Sequence, residues 1–288
     1  MKSLCIALAA VVCTMPQLTF RTSTNTVEIY ATVVDRSGRL IPDLTKDDFV
    51  IRDNGKVQPI SVFAQGTQPI TMALMMDESP SVARAFDRIA GGIQELAKHF
   101  ISGDRAALGA FSHLVRLDPT LSADPASLVP GLFAGRPRFP AGTALWDGLD
   151  AARDALRSES GRRVVLVLTD ADDNCSLIDP RDVVARVERE GTMVYAIGIR
   201  GNQGLPVREL RALTQNSGGY YFELRSGDDL AATFARVADE LHRQYVIGFV
   251  PLQLDGTRHT IEIETKRSGL TVRARRSFVA AAPGQGRD

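Results

Sequence analysis

Ile70-Thr71-Met72-Ala73-Leu74-Met75-Met76-Asp77-Glu78-Ser79-Pro80-Ser81-Val82 sets an apolar run of strand length directly against a polar turn. Such a run, followed by helical periodicity, reads as a strand buried within a parallel sheet. Open α/β sheets keep their ligands outside the carboxyl ends of their strands. At that end the chain offers Asp77, Ser79 and Ser81, one carboxylate and two hydroxyls. Hard oxygen donors suit magnesium, manganese or calcium rather than zinc or copper. The pentapeptide alone is a weak signal, because polar turns after strands are common and serine is an ordinary helix N-cap.

Two later segments strengthen it. Ala141-Gly142-Thr143-Ala144-Leu145 follows a proline-rich loop and opens a helix, adding the Thr143 hydroxyl. Val164-Val165-Leu166-Val167-Leu168-Thr169-Asp170 is a second buried-strand pattern, and it ends in an acid at the same sheet edge. Asp77, Ser79, Ser81, Thr143 and Asp170 together resemble the metal-ion-dependent adhesion site of the von Willebrand factor type A family, read as Asp-x-Ser-x-Ser, then Thr, then Asp. The resemblance runs from about residue 71 to about residue 244. The flanking segments 32–38, 44–49, 53–56 and 245–249 are similar to those of secreted bacterial proteins of this family.

The resemblance implies a doubly wound α/β domain with a mostly parallel sheet, and a divalent cation, Mg2+ or else Mn2+ or Ca2+. It implies carboxylates acting largely through bound water, hydroxyls as direct ligands, and one open position for an Asp or Glu carboxylate of a partner protein. Glu78, Asp172 and Asp173 are expected to raise cation affinity by their negative potential, as solvated loop acids rather than ligands. Pro80 stands where the family often has a small residue. Proline fixes its own φ and drives Ser79 toward an extended conformation, which either stiffens the metal loop or misplaces Ser79.

The chain of 288 residues can bury one large core, or one large and one small. Its 34 basic and 34 acidic side chains cancel, so no global field favours nucleic acid or an anionic membrane. Residues 1–22 read as an export signal, with Lys2 ahead of an apolar core too short to span a bilayer. Secretion with cleavage is the favoured reading, ahead of a lipid anchor at Cys13, whose preceding residues match that signal poorly, and of a retained anchor; each places the rest of the chain outside the cytoplasm, secreted or in the cell envelope. Nothing else in the sequence is long and apolar enough to cross a membrane, and the oligomeric state is not legible.

Around the module the pattern is β. Val27, Ile29, Ala31 and Val33 share one strand face. Thr45-Lys46-Asp47-Asp48 has the form of a capping box, and strands over 49–52 and 58–63 are joined across Asn54-Gly55, a strong hairpin signal. Further strands are expected over 245–252, 258–265 and 270–279. One small β-sandwich built from residues 25–66 and 245–280, bracketing a module over 70–244, is the expectation; two separate β appendages are the alternative. Residues 281–288 read as a disordered tail. Within the module, helices are expected over 82–100, 145–156, 182–190, 207–215 and 228–243, the last capped by Ser226, alternating with strands.

Other residues carry less. His99, His113, His242 and His259 lie on different elements without metal-ligand spacing. Cys175 reads as a small buried residue, Leu145 and Trp146 as core, and Arg273, Arg275 and Arg276 as a solvated face that resists edge pairing. Three functions are weighed: a metal-dependent protein-binding module, which is not an enzyme; an interaction domain whose metal site is vestigial; and an aspartyl-nucleophile phosphohydrolase. The last wants a second acid two positions after Asp77, where Ser79 stands.

Overall fold

The computed structural model describes residues 26–66, 68–80, 82, 85–130, 141–170, 173–199, 208–224 and 229–280. The export signal, Ser81, Asp172, Ser226 and the tail after 280 lie outside the described residues. The N-terminal flank carries β1 (Val27–Asp35), β2 (Phe49–Asp53), β3 (Lys56–Gln58) and β4 (Val62–Ala64). Asn54 and Gly55 link β2 to β3 with φ of 48° and 76°, the left-handed backbone of a tight hairpin turn. The expected single-turn helix is present at Lys46–Asp48, where the Asp48 carboxylate accepts from the Thr45 N–H at 2.7 Å.

The module follows with β5 (Ile70–Asp77), α1 (Phe86–Lys98), β6 (Arg105–Phe111), β7 (Val115–Leu117), α2 (Leu145–Ala155), β8 (Arg162–Thr169), α3 (Pro180–Glu190), β9 (Met193–Ile199), α4 (Arg208–Asn216), β10 (Tyr221–Leu224) and α5 (Leu230–His242). Its sheet has the order β10-β9-β8-β5-β6-β7, parallel except for the edge strand β7. Every residue of β5 is buried, as a central strand covered on both faces requires. One face packs Ile89, Ile93 and Leu96 of α1 with Phe234, Val237 and Leu241 of α5. The other packs Leu145, Trp146 and Leu149 of α2 with Val183, Val187, Leu210 and Leu213 of α3 and α4. Pro180 begins α3 behind its N-cap Asp179, whose carboxylate accepts from the Arg181 N–H at 2.8 Å. Asp229 caps α5, accepting from the Ala231 N–H at 2.9 Å.

The C-terminal flank adds β11 (Tyr245–Phe249), β12 (Arg258–Thr265), β13 (Leu270–Ala274) and β14 (Ser277–Val279). Strands of both flanks mix in two four-stranded sheets, β13-β1-β11-β4 and β14-β12-β2-β3. Ile29, Ala31, Val33, Phe49, Ile51, Ile247 and Phe249 fill the space they share. Two strands expected to be continuous are each divided. Residues 58–63 break at Pro59, which has no N–H for a ladder, and the two halves join different sheets. Residues 270–279 break at Arg275 and Arg276, where the Arg276 N–H donates to the Asn216 carbonyl at 2.9 Å instead of to a neighbouring strand.

Of the arginines of that segment, Arg276 is exposed, as a solvated face requires, but Arg273 and Arg275 are not: Arg275 donates to the Glu28 carbonyl at 2.9 Å. Arg273 is 17% exposed, forms a 2.6 Å ion pair with buried Glu240 of α5 and lies over the Tyr220 ring. Glu240 also accepts from the Tyr195 hydroxyl at 2.7 Å, and the Gln244 amide donates to the Thr32 hydroxyl at 2.7 Å. Arg162 completes this buried polar seam, donating to Gln244 and to the Leu241 carbonyl while stacking over Tyr30. Thr32 is therefore buried although it points away from the face shared by Ile29, Ala31 and Val33. Both faces of β1 are covered, one by the flanking sheets and the other by the module.

His259 is enclosed between two carboxylates, with Nδ1 2.7 Å from Asp53 and Nε2 3.3 Å from Asp255. Burial alone would lower its pKa, but the two carboxylates outweigh burial and raise it above the ordinary value. With the folded value raised, the imidazolium's contribution is complete below the unfolded pKa of about 6.5 and is lost as pH rises through the folded value. Asp53→Asn is thus expected to destabilise the protein most at acid pH, with the gap to wild type narrowing as pH rises. Melting curves across that range check it, and a gap that widens with pH refutes it.

Candidate functional site

In the module sheet, β5 sends the chain to β6 on one side, and the chain later returns to β8 on the other. The crevice outside the ends of β5 and β8 is therefore a topological switch point, the place where open sheets bind ligands. Asp77 ends β5, and Thr169 and Asp170 end β8.

Asp77 is fully buried. Its Oδ2 accepts from the Thr169 hydroxyl at 2.7 Å and its Oδ1 from the Ser79 N–H at 2.8 Å, so the first loop folds back on its own carboxylate. Burial pushes the Asp77 carboxyl up to about 6; the bonds from Thr169 and Ser79 act the other way, and the charge of Asp170 adds to the rise. Asp170 Oδ1 is itself buried without a hydrogen-bond partner. Two carboxylates within electrostatic reach, one wholly enclosed and the other with an orphaned oxygen, leave negative charge in want of a cation. With hydroxyls as the remaining donors, the set fits a hard divalent ion.

Thr143 is 3% exposed and locked between two neighbouring loops. Its N–H donates to the Asn174 side chain at 2.9 Å and its carbonyl accepts from the Asn174 N–H at 3.1 Å, which ties it to the loop after Asp170. The next N–H, of Ala144, donates to the Ser112 carbonyl at 2.6 Å. Ser112 directly follows Phe111, which pairs with Asp77 and accepts from the Glu78 N–H at 2.8 Å. Gly142, at φ 105°, lets this loop through, since a Cβ there would lie 3.1 Å from Cys175 Sγ and 3.2 Å from His113 Cβ. The loops bearing Asp77, Ser79, Thr143 and Asp170 thus meet at one sheet edge. Cys175 is partly exposed rather than buried.

Of the three acids expected to be solvated, Glu78 and Asp173 are instead engaged by protein groups. Glu78 is 2% exposed and ion-paired with Arg116 of β7 at 2.5 Å. Asp173 is a remote cap: its Oδ1 accepts from the Leu145 N–H at the start of α2 at 2.9 Å and from the Ser176 hydroxyl at 2.5 Å. Sequence reading also passed over Thr169, Asn174, Ser176 and Arg116. For Thr169 a signal existed, as the one polar residue of an otherwise apolar run from Val164 to Thr169.

A family model described as von Willebrand factor type A domain matches residues 72–236, more than half of the chain. Among solved structures, a von Willebrand factor type A protein from Catenulispora acidiphila aligns with a TM-score of 0.51 at 16% identity, over 82% of this chain and 74% of its own. Proximal thread matrix protein 1 of the mussel byssus, with a zinc-occupied MIDAS motif, aligns at 0.52 and 21% identity, over 64% of this chain and 48% of its own. The chain thus spans about half the length of the byssus protein. At such identities the likeness is one of fold. No curated protein matches the chain.

Proposed function

The chain belongs to the von Willebrand factor type A domain family, and from that premise we propose that it is a metal-dependent protein-binding module of the cell envelope or extracellular medium. Asp77, Ser79, Ser81, Thr143 and Asp170 hold the divalent cation, Mg2+ or else Mn2+ or Ca2+. A cation there supplies an open coordination position, which an Asp or Glu carboxylate of a partner protein fills. The observation that carries this reading is the buried Asp77 beside Asp170, whose Oδ1 lacks a partner, at the switch point of the sheet. Attraction between such a cation and a carboxylate is strong in a low-dielectric setting.

Family members are protein-interaction modules, and a non-enzymatic role suits this site. Asp77 is enclosed and engaged by Thr169 and Ser79, which suits a ligand of a cation better than an attacking nucleophile. We read the two flanking sheets as one β-sandwich, residues 25–66 with 245–280, into which residues 70–244 are inserted. The pairing of β1 with β11 and of β2 with β12 supports this. The export-signal pattern of residues 1–22 supports a place outside the cytoplasm, and among the described residues no helix is long and apolar enough to cross a membrane.

Capture from the native medium with Mg2+ and with EDTA tests the function. Proteins retained by the wild-type chain only with Mg2+, and not by Asp77→Ala, are the expected result. Identical retained sets with and without EDTA would overturn it.

A further inference from the structure

Beside Asp77 stands a carboxylate the cation site does not account for. Glu78 is buried; its Oε2 meets Arg116, while its Oε1 is buried without a hydrogen-bond partner. Arg116 lies on the edge strand β7 opposite Ala110 of β6, and β6 in turn pairs with β5. Its guanidinium thus reaches across the end of β6 to the loop after Asp77. The Arg116 side chain is 51% exposed, and among the described residues Glu78 is its one ion-pair partner. Guanidinium has five donors in a fixed fork, so those turned from Glu78 remain for a ligand.

Pairing the buried Glu78 carboxylate explains the one guanidinium donor that meets it. Charge bears on the donors that remain. Asp77, Glu78 and Asp170 crowd acidic side chains at this strand end, with Asp173 in the neighbouring loop, and Arg116 sets a positive charge against them. Removing Arg116 makes the loaded site more negative and less attractive to an incoming carboxylate.

We propose that Arg116 is the second anchor for the partner's carboxylate: the acidic side chain that takes the cation's open position also accepts from the Arg116 guanidinium. This rests on the reading of the Asp77 loop as a cation site. It makes the partner's determinant an Asp or Glu carboxylate held by two cationic groups, and it gives β7 a role in recognition.

Manganese and acetate serve as probes, with the wild type, Arg116→Gln and Arg116→Lys. Free Mn2+ measured by electron paramagnetic resonance gives the cation affinity, and water-proton relaxation of the loaded protein gives acetate binding. Arg116→Gln is expected to bind Mn2+ as tightly as wild type or roughly three- to tenfold tighter, since a neighbouring positive charge is gone. Its affinity for acetate is expected to fall about fivefold or more, with partial recovery in Arg116→Lys. Acetate affinity falls while Mn2+ affinity holds or rises, which loss of loop structure would not produce. Unchanged acetate affinity in Arg116→Gln overturns the proposal, and so does a parallel loss of Mn2+ affinity in both variants. A wild-type protein that takes up no Mn2+ removes the cation site and the proposal with it, an outcome the Mn2+ titration separates from the other two.

Discussion

Asp77→Ala is expected to abolish the stabilisation that Mg2+ or Mn2+ gives the wild-type protein. A ligand that binds only the folded state, at 100 times its Kd, adds about 2.7 kcal/mol, which for a chain of this size raises Tm by roughly 5–10 °C. Asp77→Asn separates loss of the cation from loss of the fold, because an amide oxygen can still accept from the Ser79 N–H that now meets Asp77 Oδ1. In EDTA this variant is expected to be more stable than wild type at neutral pH, by an amount on the order of 2 kcal/mol. The reason is the carboxyl held up to about 6, mainly by burial. With the folded value above the unfolded one, the cation-free wild type is most stable at acid pH. It loses stability as pH rises from about 4 through about 6. Excess cation reverses the order, since it binds the ionised form and so stabilises wild type but not Asp77→Asn. Thermal melts in EDTA and in excess Mn2+ decide it. Wild-type melting indifferent to the cation would leave the vestigial reading in its place.

The frame of this site was legible in the chain because its parts stand at the boundaries of apolar patterns. Met72–Met76 and Val164–Leu168 announce central strands by having no polar side chain, and covering both faces of a sheet forces that composition. Asp77 and Asp170 stand just beyond those runs, and Thr143 stands where a helix pattern begins. What the chain hid is which polar groups find distant partners. Glu78 and Asp173 look like loop acids until Arg116 and the Leu145 N–H are brought to them by pairing and packing across long separations. The same holds for Arg273, whose alternation with Val272 and Ala274 suggests an outward face. In the fold the helix α5 lies against that face and fills it with Glu240. Periodicity reports that two faces differ, and it is silent on whether the polar face meets water or another polar surface.

Arg273→Ala is accordingly expected to cost about 3–5 kcal/mol, because it strands the carboxylate of Glu240 in a buried setting. Glu240 is 2% exposed and among the described residues would keep the Tyr195 hydroxyl at 2.7 Å and the Thr32 hydroxyl at 3.5 Å. Glu240→Gln removes the charge while retaining an acceptor for Tyr195, so the double variant Arg273→Ala/Glu240→Gln is expected to recover much of the loss. The cycle should therefore be strongly non-additive, as for groups in one network. Arg273 lies on β13 and Glu240 on α5, so the coupling energy joins the C-terminal flank to the module. The flanking sheets and the module should then unfold in one transition, with tryptophan fluorescence from Trp146 and far-ultraviolet circular dichroism giving coincident curves. An Arg273→Ala penalty below about 1 kcal/mol, the worth of an exposed pair, or two separated transitions in the wild type would show that the seam holds the two parts together only loosely.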